Sequence, residues 1–189
     1  MIITKTPMRI PLGGGGSDLP EFYEKYGGFW ISASVDKYIY VAVKSRFEKQ
    51  ISLHYSQIEE VYSIDKIKHE ILREALRKYG LESHIEVSSL ADLPSRSGMG
   101  SSGSFTVGLL HALGVYTRKP IPDLAEEAYN LERNVLSRST GKQDQYTATL
   151  GGCRAYTALK NGVVKYGPPM DVSGLEEHLC LFYTGLLRD

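Results

Sequence analysis

Cysteine is scarce in this sequence: Cys153 and Cys180 are the only two among 189 residues, and they stand in no metal-binding or redox spacing. A disulfide framework is therefore excluded, and a single disulfide would need an extracellular context that nothing else supports. The opening Met1-Ile2-Ile3-Thr4-Lys5 leads straight into a Pro- and Gly-containing stretch, without the apolar run of a signal peptide. No stretch approaches the roughly 20 apolar residues of a membrane span. Surplus charge is missing too. Lys and Arg number 22 and Asp and Glu 22, so there is no basic excess with which to neutralise nucleic-acid phosphates. The five histidines (His54, His69, His84, His111, His178) are scattered, which gives zinc no cluster. These absences lead to the expectation of a cytoplasmic, reduced protein with neither nucleic acid nor membrane as partner. What is present, 42% hydrophobic and 23% charged residues, is enough to bury a core without staples.

Strands and helices mix without regular βαβ alternation, so the expected class is α+β rather than a doubly wound parallel sheet. Ile2 to Leu12 reads as extended and ends in Gly13-Gly14-Gly15-Gly16. Glycine weakens both helix and strand, so these four serve a tight turn or a close backbone approach. A helix is expected from Leu19. Phe29 to Phe47 is rich in β-branched and aromatic residues, but Asp36 and Lys37 interrupt it, leaving one long strand or two short ones. Ile67, Ile71, Ala75 and Tyr79, with Gly80 as a stop, predict a helix over Asp65 to Tyr79. Ile85 to Leu90 predicts a strand and Phe105 to Val115 an apolar helix. Asp123 and Glu126 form an N-capping pattern for a helix with the stripe Leu124, Ala128, Leu131 and Val135. Asn161-Gly162 predicts a type I′ hairpin, and Leu179 to Tyr183 a final strand.

The most informative segment is Pro94-Ser95-Arg96-Ser97-Gly98-Met99-Gly100-Ser101-Ser102, between a predicted strand and a predicted helix. Glycines let backbone N–H groups converge, serine hydroxyls add donors, and a helix N-terminus adds a positive dipole end. Together these suit an anion such as a nucleotide phosphate. No Gly-Lys-Ser/Thr follows, so this is not the P-loop. A flexible serine–glycine linker is the competing reading, but linkers are not normally clamped between a strand and an apolar helix. Glu132 has no basic residue three or four positions away. It is a surface glutamate, or one of the carboxylates that magnesium takes alongside phosphate oxygens. Asp144, in Gly-x-x-Asp-Gln, is a turn residue or a second carboxylate for the same centre. Arg9 is an exposed charge or a group that stabilises a transferring phosphoryl. Asp18 accepts from substrate hydroxyls or caps the helix after it.

Three ordered motifs resemble those of the GHMP kinases, the galactokinase, homoserine kinase and mevalonate kinase type. Pro7-Met8-Arg9-Ile10-Pro11-Leu12-Gly13-Gly14 is similar to the first. Leu93 to Ser104 is similar to the second, with Met99 where the family has leucine. Leu131-Glu132-Arg133 through Gly141-Lys142-Gln143-Asp144-Gln145 is similar to the family's Glu and Gly-x-x-Asp pair. The resemblance implies a ribosomal protein S5 domain 2-like fold, ATP and Mg²⁺ as cofactors, and phosphoryl transfer to a small-molecule hydroxyl. It implies Asp144 as base or orienting group and Arg9 as transition-state stabiliser. Ser97, Gly98, Met99, Gly100, Ser101 and Ser102 would cradle the phosphates, Ser102 and Glu132 would hold Mg²⁺, and Gly14, Gly15, Ser17 and Asp18 would face the substrate.

Within that family, Arg-Ile-x-x-x-Gly-Gly-Gly-Ser-Asp and Val35-Asp36-Lys37-Tyr38 resemble the D-glycero-D-manno-heptose 7-phosphate kinase branch. That branch implies phosphorylation at the anomeric oxygen to a 1,7-bisphosphate. Gly15-Gly16-Ser17 stands where galactokinases carry Gly-Glu-His. The alternatives are another sugar kinase of the family, such as a fucokinase, or a non-catalytic nucleotide-binding fragment. The resemblance also assigns residues 1–172 to an N-terminal catalytic domain and 173–189 to the first strand of a C-terminal domain that is otherwise missing. A separate C-terminal chain or a second copy is then a partner to expect, with poor turnover by this half alone.

Overall fold

The computed structural model describes residues 1–95 and 97–182. Arg96 of the glycine–serine loop and the end of the expected last strand, from Tyr183 on, lie outside them. The chain runs β1 (Ile2–Gly13), α1 (Pro20–Tyr26), β2 (Gly28–Ser45), β3 (Ile51–His54), β4 (Ile58–Val61), α2 (Glu70–Tyr79), β5 (Ile85–Ala91), α3 (Ser101–Tyr116), α4 (Leu124–Asn130), α5 (Gln143–Leu150), β6 (Cys153–Ala158) and β7 (Val164–Tyr166). The strands form one sheet in the order β4-β3-β5-β2-β6-β7, with β1 paired to β2. Every pairing is antiparallel except β3 with β5. This is the expected α+β class. No helix among the described residues is long and apolar enough to cross a membrane.

β2 is one strand of 18 residues, not two. It pairs with β1 from Ile31 to Val43 on one side, and with β6 at its start and β5 at its end. Its pattern breaks at Asp36 and Lys37 because the register shifts there: Pro7 pairs with Tyr38, but Arg9 pairs with Ser34. One residue of β1 thus faces three of β2. The bulge also disturbs β1, where neighbours Met8 and Arg9 are both buried. Pro7 sits at this shift, and its carbonyl accepts 2.8 Å from the Ser104 hydroxyl of α3.

The main core joins Met8, Ile39, Val41, Val43 and Val87 of the sheet to Leu72 and Leu76 of α2 and to Leu109, Leu110 and Leu113 of α3. Fully burying each such side chain stabilises by about 1.5–3 kcal/mol. A second cluster holds Tyr23, Trp30, Ala125, Tyr146, Tyr156 and Ala158, with Trp30 stacked on Tyr156 at 5.3 Å.

Several expectations are corrected. The helix predicted from Asp65 begins at Glu70, after a separate 3₁₀ turn at Ile64–Lys66. The Glu59 carboxylate accepts from the N–H groups of Lys68 and His69 and holds them extended, and His69 caps α2 by accepting from Leu72 N–H. α3 starts at Ser101, four residues earlier than predicted, so the serine pair lies in its first turn. β3 and β4 were not anticipated. The β6–β7 hairpin forms, but only Gly162 of its turn has positive φ, so Asn161-Gly162 does not make a type I′ turn. Leu179 to Phe182, the described part of the expected last strand, is not extended in any sheet. Its apolar side chains are exposed, with Phe182 at 81%.

Candidate active site

The loop after β5 returns to β1 before α3 begins. Arg9 N–H donates 3.1 Å to the Met99 carbonyl, which joins the loop to the bulged strand. Gly100 caps α3 with φ +72°, a left-handed conformation that side chains disfavour. Gly103, one turn in, has no room for a side chain: a Cβ there would lie 2.5 Å from Cβ of Asp144. The helix start and α5 therefore touch through backbone and the Asp144 side chain. Arg9 closes the group. Its Nε donates to Asp144 Oδ1 at 2.7 Å, its Nη2 lies 2.5 Å from the same oxygen, and its Nη1 donates to the Gly98 carbonyl at 2.9 Å. Two residues 135 positions apart are thus one unit. Arg9 is buried, not an exposed charge.

Glu132 enters from the far side through a change of helical pitch. After α4 the chain takes one π turn, Leu131–Val135, in which Leu136 N–H reaches back to the Leu131 carbonyl. The extra residue per turn ends the predicted stripe early: Ala128 and Leu131 are buried and Leu124 packs against the core, but Val135 is 53% exposed. It also turns Glu132 inward to 2% exposure. Its Oε2 accepts from Ser102 Oγ at 2.5 Å and its Oε1 from Gln145 Nε2 at 3.0 Å. A buried carboxylate beside a hydroxyl at a helix start fits one edge of a magnesium–phosphate site, since magnesium takes one or two carboxylates plus phosphate oxygens. Among the described residues there is no cluster of three His, Cys, Asp or Glu that would hold a metal unaided.

A cavity of about 380 Å³ connects these groups, lined by Arg9, Gly98, Gly100, Ser101, Ser102, Glu132, Arg138 and Asp144. The buried Ser97 hydroxyl in the same loop has no partner among the described residues. A second cavity of about 510 Å³ is bordered by Ile39, Tyr55, His69, Leu93, Phe105 and, again, Ser101, Ser102 and Arg138. Burial lowers the His69 pKa. Burial, and then the bond to Glu59, pushes Tyr55 up to about 12. Both rings are therefore neutral near pH 7 and present an apolar, aromatic wall.

The glycine turn meets the chain just ahead of Asp144, where Asp18 lies against Gly141 and Gln143. Gly14 approaches β2 so closely that a Cβ would meet the Phe29 carbonyl at 2.1 Å. Ser17 Oγ accepts from Phe29 N–H at 3.0 Å, with the Gly14 and Phe29 carbonyls both 2.7 Å away as acceptors. Asp18 does not cap α1. It accepts from Gly16 N–H and, across the chain, from Gln143 N–H at 3.0 Å, which caps α5, the helix that carries Asp144. Gly15 makes no close approach. Lys142, in the middle of the Gly-x-x-Asp motif, faces away from the cavity. It is 2% exposed, and its ammonium donates to both Glu126 oxygens and to the Gly162 carbonyl.

Sequence reasoning missed Arg138, which lines both cavities. Its own segment, Ser137-Arg138-Ser139-Thr140, carried no periodic signal.

The fold and motifs have counterparts among known proteins. Residues 65–152 match the GHMP kinases N terminal domain family. A D-glycero-alpha-D-manno-heptose 7-phosphate kinase of Campylobacter jejuni is 28% identical over all of this chain and 61% of its own length. A galactokinase of Pyrococcus furiosus is 24% identical over all of this chain and 54% of its own. The crystal structure of a D-glycero-D-manno-heptose 1-phosphate kinase from Bacteroides thetaiotaomicron superposes with a TM-score of 0.82 at 26% identity, covering 94% of this chain and 62% of that one. The chain thus spans less than two thirds of the length of these relatives. Fold, motif order and these matches agree: residues 65–152 match the GHMP kinases N terminal domain, and the described residues share the fold of a heptose-phosphate kinase structure.

Proposed function

We propose that this chain supplies the nucleotide-binding and catalytic groups of an ATP-dependent sugar kinase. The proposed acceptor is the anomeric hydroxyl of D-glycero-D-manno-heptose 7-phosphate and the product the 1,7-bisphosphate. The observation that carries the reading is the convergence of Arg9–Asp144 and Ser102–Glu132 on one cavity at the start of α3. The aromatic second cavity supports it, since it offers a base-sized apolar space next to the phosphate loop. The heptose kinase likeness in sequence and structure supports the acceptor.

In this reading the backbone from Ser97 to Ser102 and the dipole of α3 hold the phosphates. Ser102 and Glu132 would hold Mg²⁺, whose chemistry when bound is to neutralise charge on the phosphate oxygens. Asp144 orients the acceptor hydroxyl and takes its proton as the oxygen attacks the γ-phosphorus. The bond from that phosphorus to the bridging oxygen breaks, and ADP leaves. Arg9 positions Asp144, and its remaining N–H groups border the cavity where charge develops. Gly14, Gly15, Ser17 and Asp18 shape the acceptor side, Ser17 and Asp18 through the backbone they fix.

The test is incubation of the chain, alone and with a separately expressed C-terminal domain of a heptose kinase relative, with Mg-ATP and a panel of sugars and sugar phosphates, read by product mass. A bisphosphate from heptose 7-phosphate supports the assignment. Product only from a free sugar would move the acceptor to a galactokinase- or fucokinase-like substrate. Asp144→Asn is expected to abolish turnover while nucleotide binding persists. Retained turnover would remove Asp144 from its role.

A further inference from the structure

A nucleoside triphosphate brings several negative charges to a loop that has no lysine after Gly100. The two nearest motif cations are already engaged. Arg9 is held by Asp144 and the Gly98 carbonyl, and the Lys142 ammonium by Glu126 and the Gly162 carbonyl. Arg138 is different. With Ser101 and Ser102 it borders both the phosphate cavity and the aromatic cavity, so it stands where a nucleotide's phosphates would join its nucleoside.

We infer that Arg138 is a phosphate-binding residue of this site, which deepens the nucleotide reading above and rests on it. In the free protein the guanidinium is parked on local acceptors. Its Nη1 lies 3.3 Å from Ser102 Oγ and 3.9 Å from Glu132 Oε2, and its Nη2 lies 3.2 Å from Glu70 Oε2. Its backbone is fixed independently of those contacts. Ser137 takes a left-handed φ of 53° that reverses the chain after the π turn, and Arg138 N–H donates to the Glu132 carbonyl at 3.0 Å. The side chain is 37% exposed and its Glu70 partner 53%, and an ion pair that open to water is weak. Exchanging Glu70 for a phosphate oxygen therefore costs little and gains a charge-assisted, forked contact that a guanidinium suits. The unpartnered Ser97 hydroxyl in the same loop is a further donor waiting for an acceptor.

The experiment is calorimetric titration of the 189-residue chain with Mg-ATP, Mg-ADP and adenosine, for wild type, Arg138→Met, Arg138→Lys and Glu70→Gln, with melting curves for each. Arg138→Met is expected to weaken ATP and ADP roughly 10- to 100-fold and leave adenosine unchanged. Arg138→Lys should recover part of that loss, because it restores charge without the fork. Glu70→Gln should bind ATP at least as well as wild type. Equal ATP affinity in wild type and Arg138→Met overturns the inference alone. So does an equal loss for adenosine and ATP, which would mark a structural role. A wild-type chain that binds no adenine nucleotide overturns the nucleotide reading and this inference together.

Discussion

Replacing Gly103 with alanine tests whether the contact between α3 and α5 sets the site. A Cβ there would stand 2.5 Å from Cβ of Asp144 and 3.3 Å from the Asp144 carbonyl carbon and Gln145 nitrogen. Ordinary contact starts at 3.4 Å, so the two helices must part by about 0.9 Å at this point. None of these neighbours is the tip of a flexible side chain, so the strain cannot be shed by one rotamer change. Overpacking of this kind costs about 1–3 kcal/mol. Alanine's better helix propensity at a position inside α3 returns about 1 kcal/mol. The net loss should be at most about 2 kcal/mol, or up to roughly 8 °C in Tm for a chain of this size. Asp144 moves with the backbone, and a displacement near 1 Å can cost about 100-fold in turnover. The assay pairs a thermal melt with the product-mass kinase measurement. Gly167→Ala, where a Cβ meets nothing within 4 Å, serves as the control. A Gly103→Ala protein that melts at or above the wild-type temperature, with unchanged turnover, would refute the reasoning.

Two further outcomes concern buried charge. Glu126→Ala should destabilise more than Lys142→Met, although Lys142 is the more buried partner, with side-chain exposures of 41% and 3%. Losing the carboxylate strands a buried ammonium at a cost of roughly 3–5 kcal/mol, whereas losing the ammonium leaves a carboxylate that water can reach. Denaturant midpoints of the two variants decide the order, and the reverse order would contradict it. His69 should make the fold acid-sensitive. Its folded pKa is lowered by burial, so as pH falls below 6.5 the unfolded chain takes up the proton first and stability drops. Glu59, whose pKa is also lowered, adds its loss in a lower window, below 4.5. Denaturant midpoints at pH 7.5 and 5.5 should differ less for His69→Asn, which keeps a capping oxygen for Leu72 N–H, and an undiminished difference would exclude His69.

The parts of the site that were legible in sequence are those where residue type alone carries chemistry. Glycine and serine between a strand and an apolar helix read in sequence as an anion loop, and Arg9, Glu132 and Asp144 line one cavity with that segment. The missed parts depend on backbone offsets. The π turn at Leu131–Val135 is invisible to a 3.6-residue pattern, which puts Val135 on the buried stripe and gives Arg138 no signal. The bulge at Asp36 and Lys37 reads in sequence only as an interruption, because pairing partners are set by the neighbouring strand. Asp18 reads in sequence as a substrate-facing carboxylate or a local cap, but one of its oxygens accepts from a backbone N–H 125 positions away. β3 and β4 are only four residues each, too short for alternation to stand out.

The uninterrupted length of β2 has a consequence for how this domain comes apart. The strand contributes Trp30 to one core cluster and Ile39, Val41 and Val43 to the other, and it shares a ladder with β1, β5 and β6. Loosening either cluster frays pairing that the other needs, so the two hydrophobic regions are thermodynamically coupled through a single ribbon. The sole tryptophan therefore reports on the melting of the entire sheet rather than on its own corner of it.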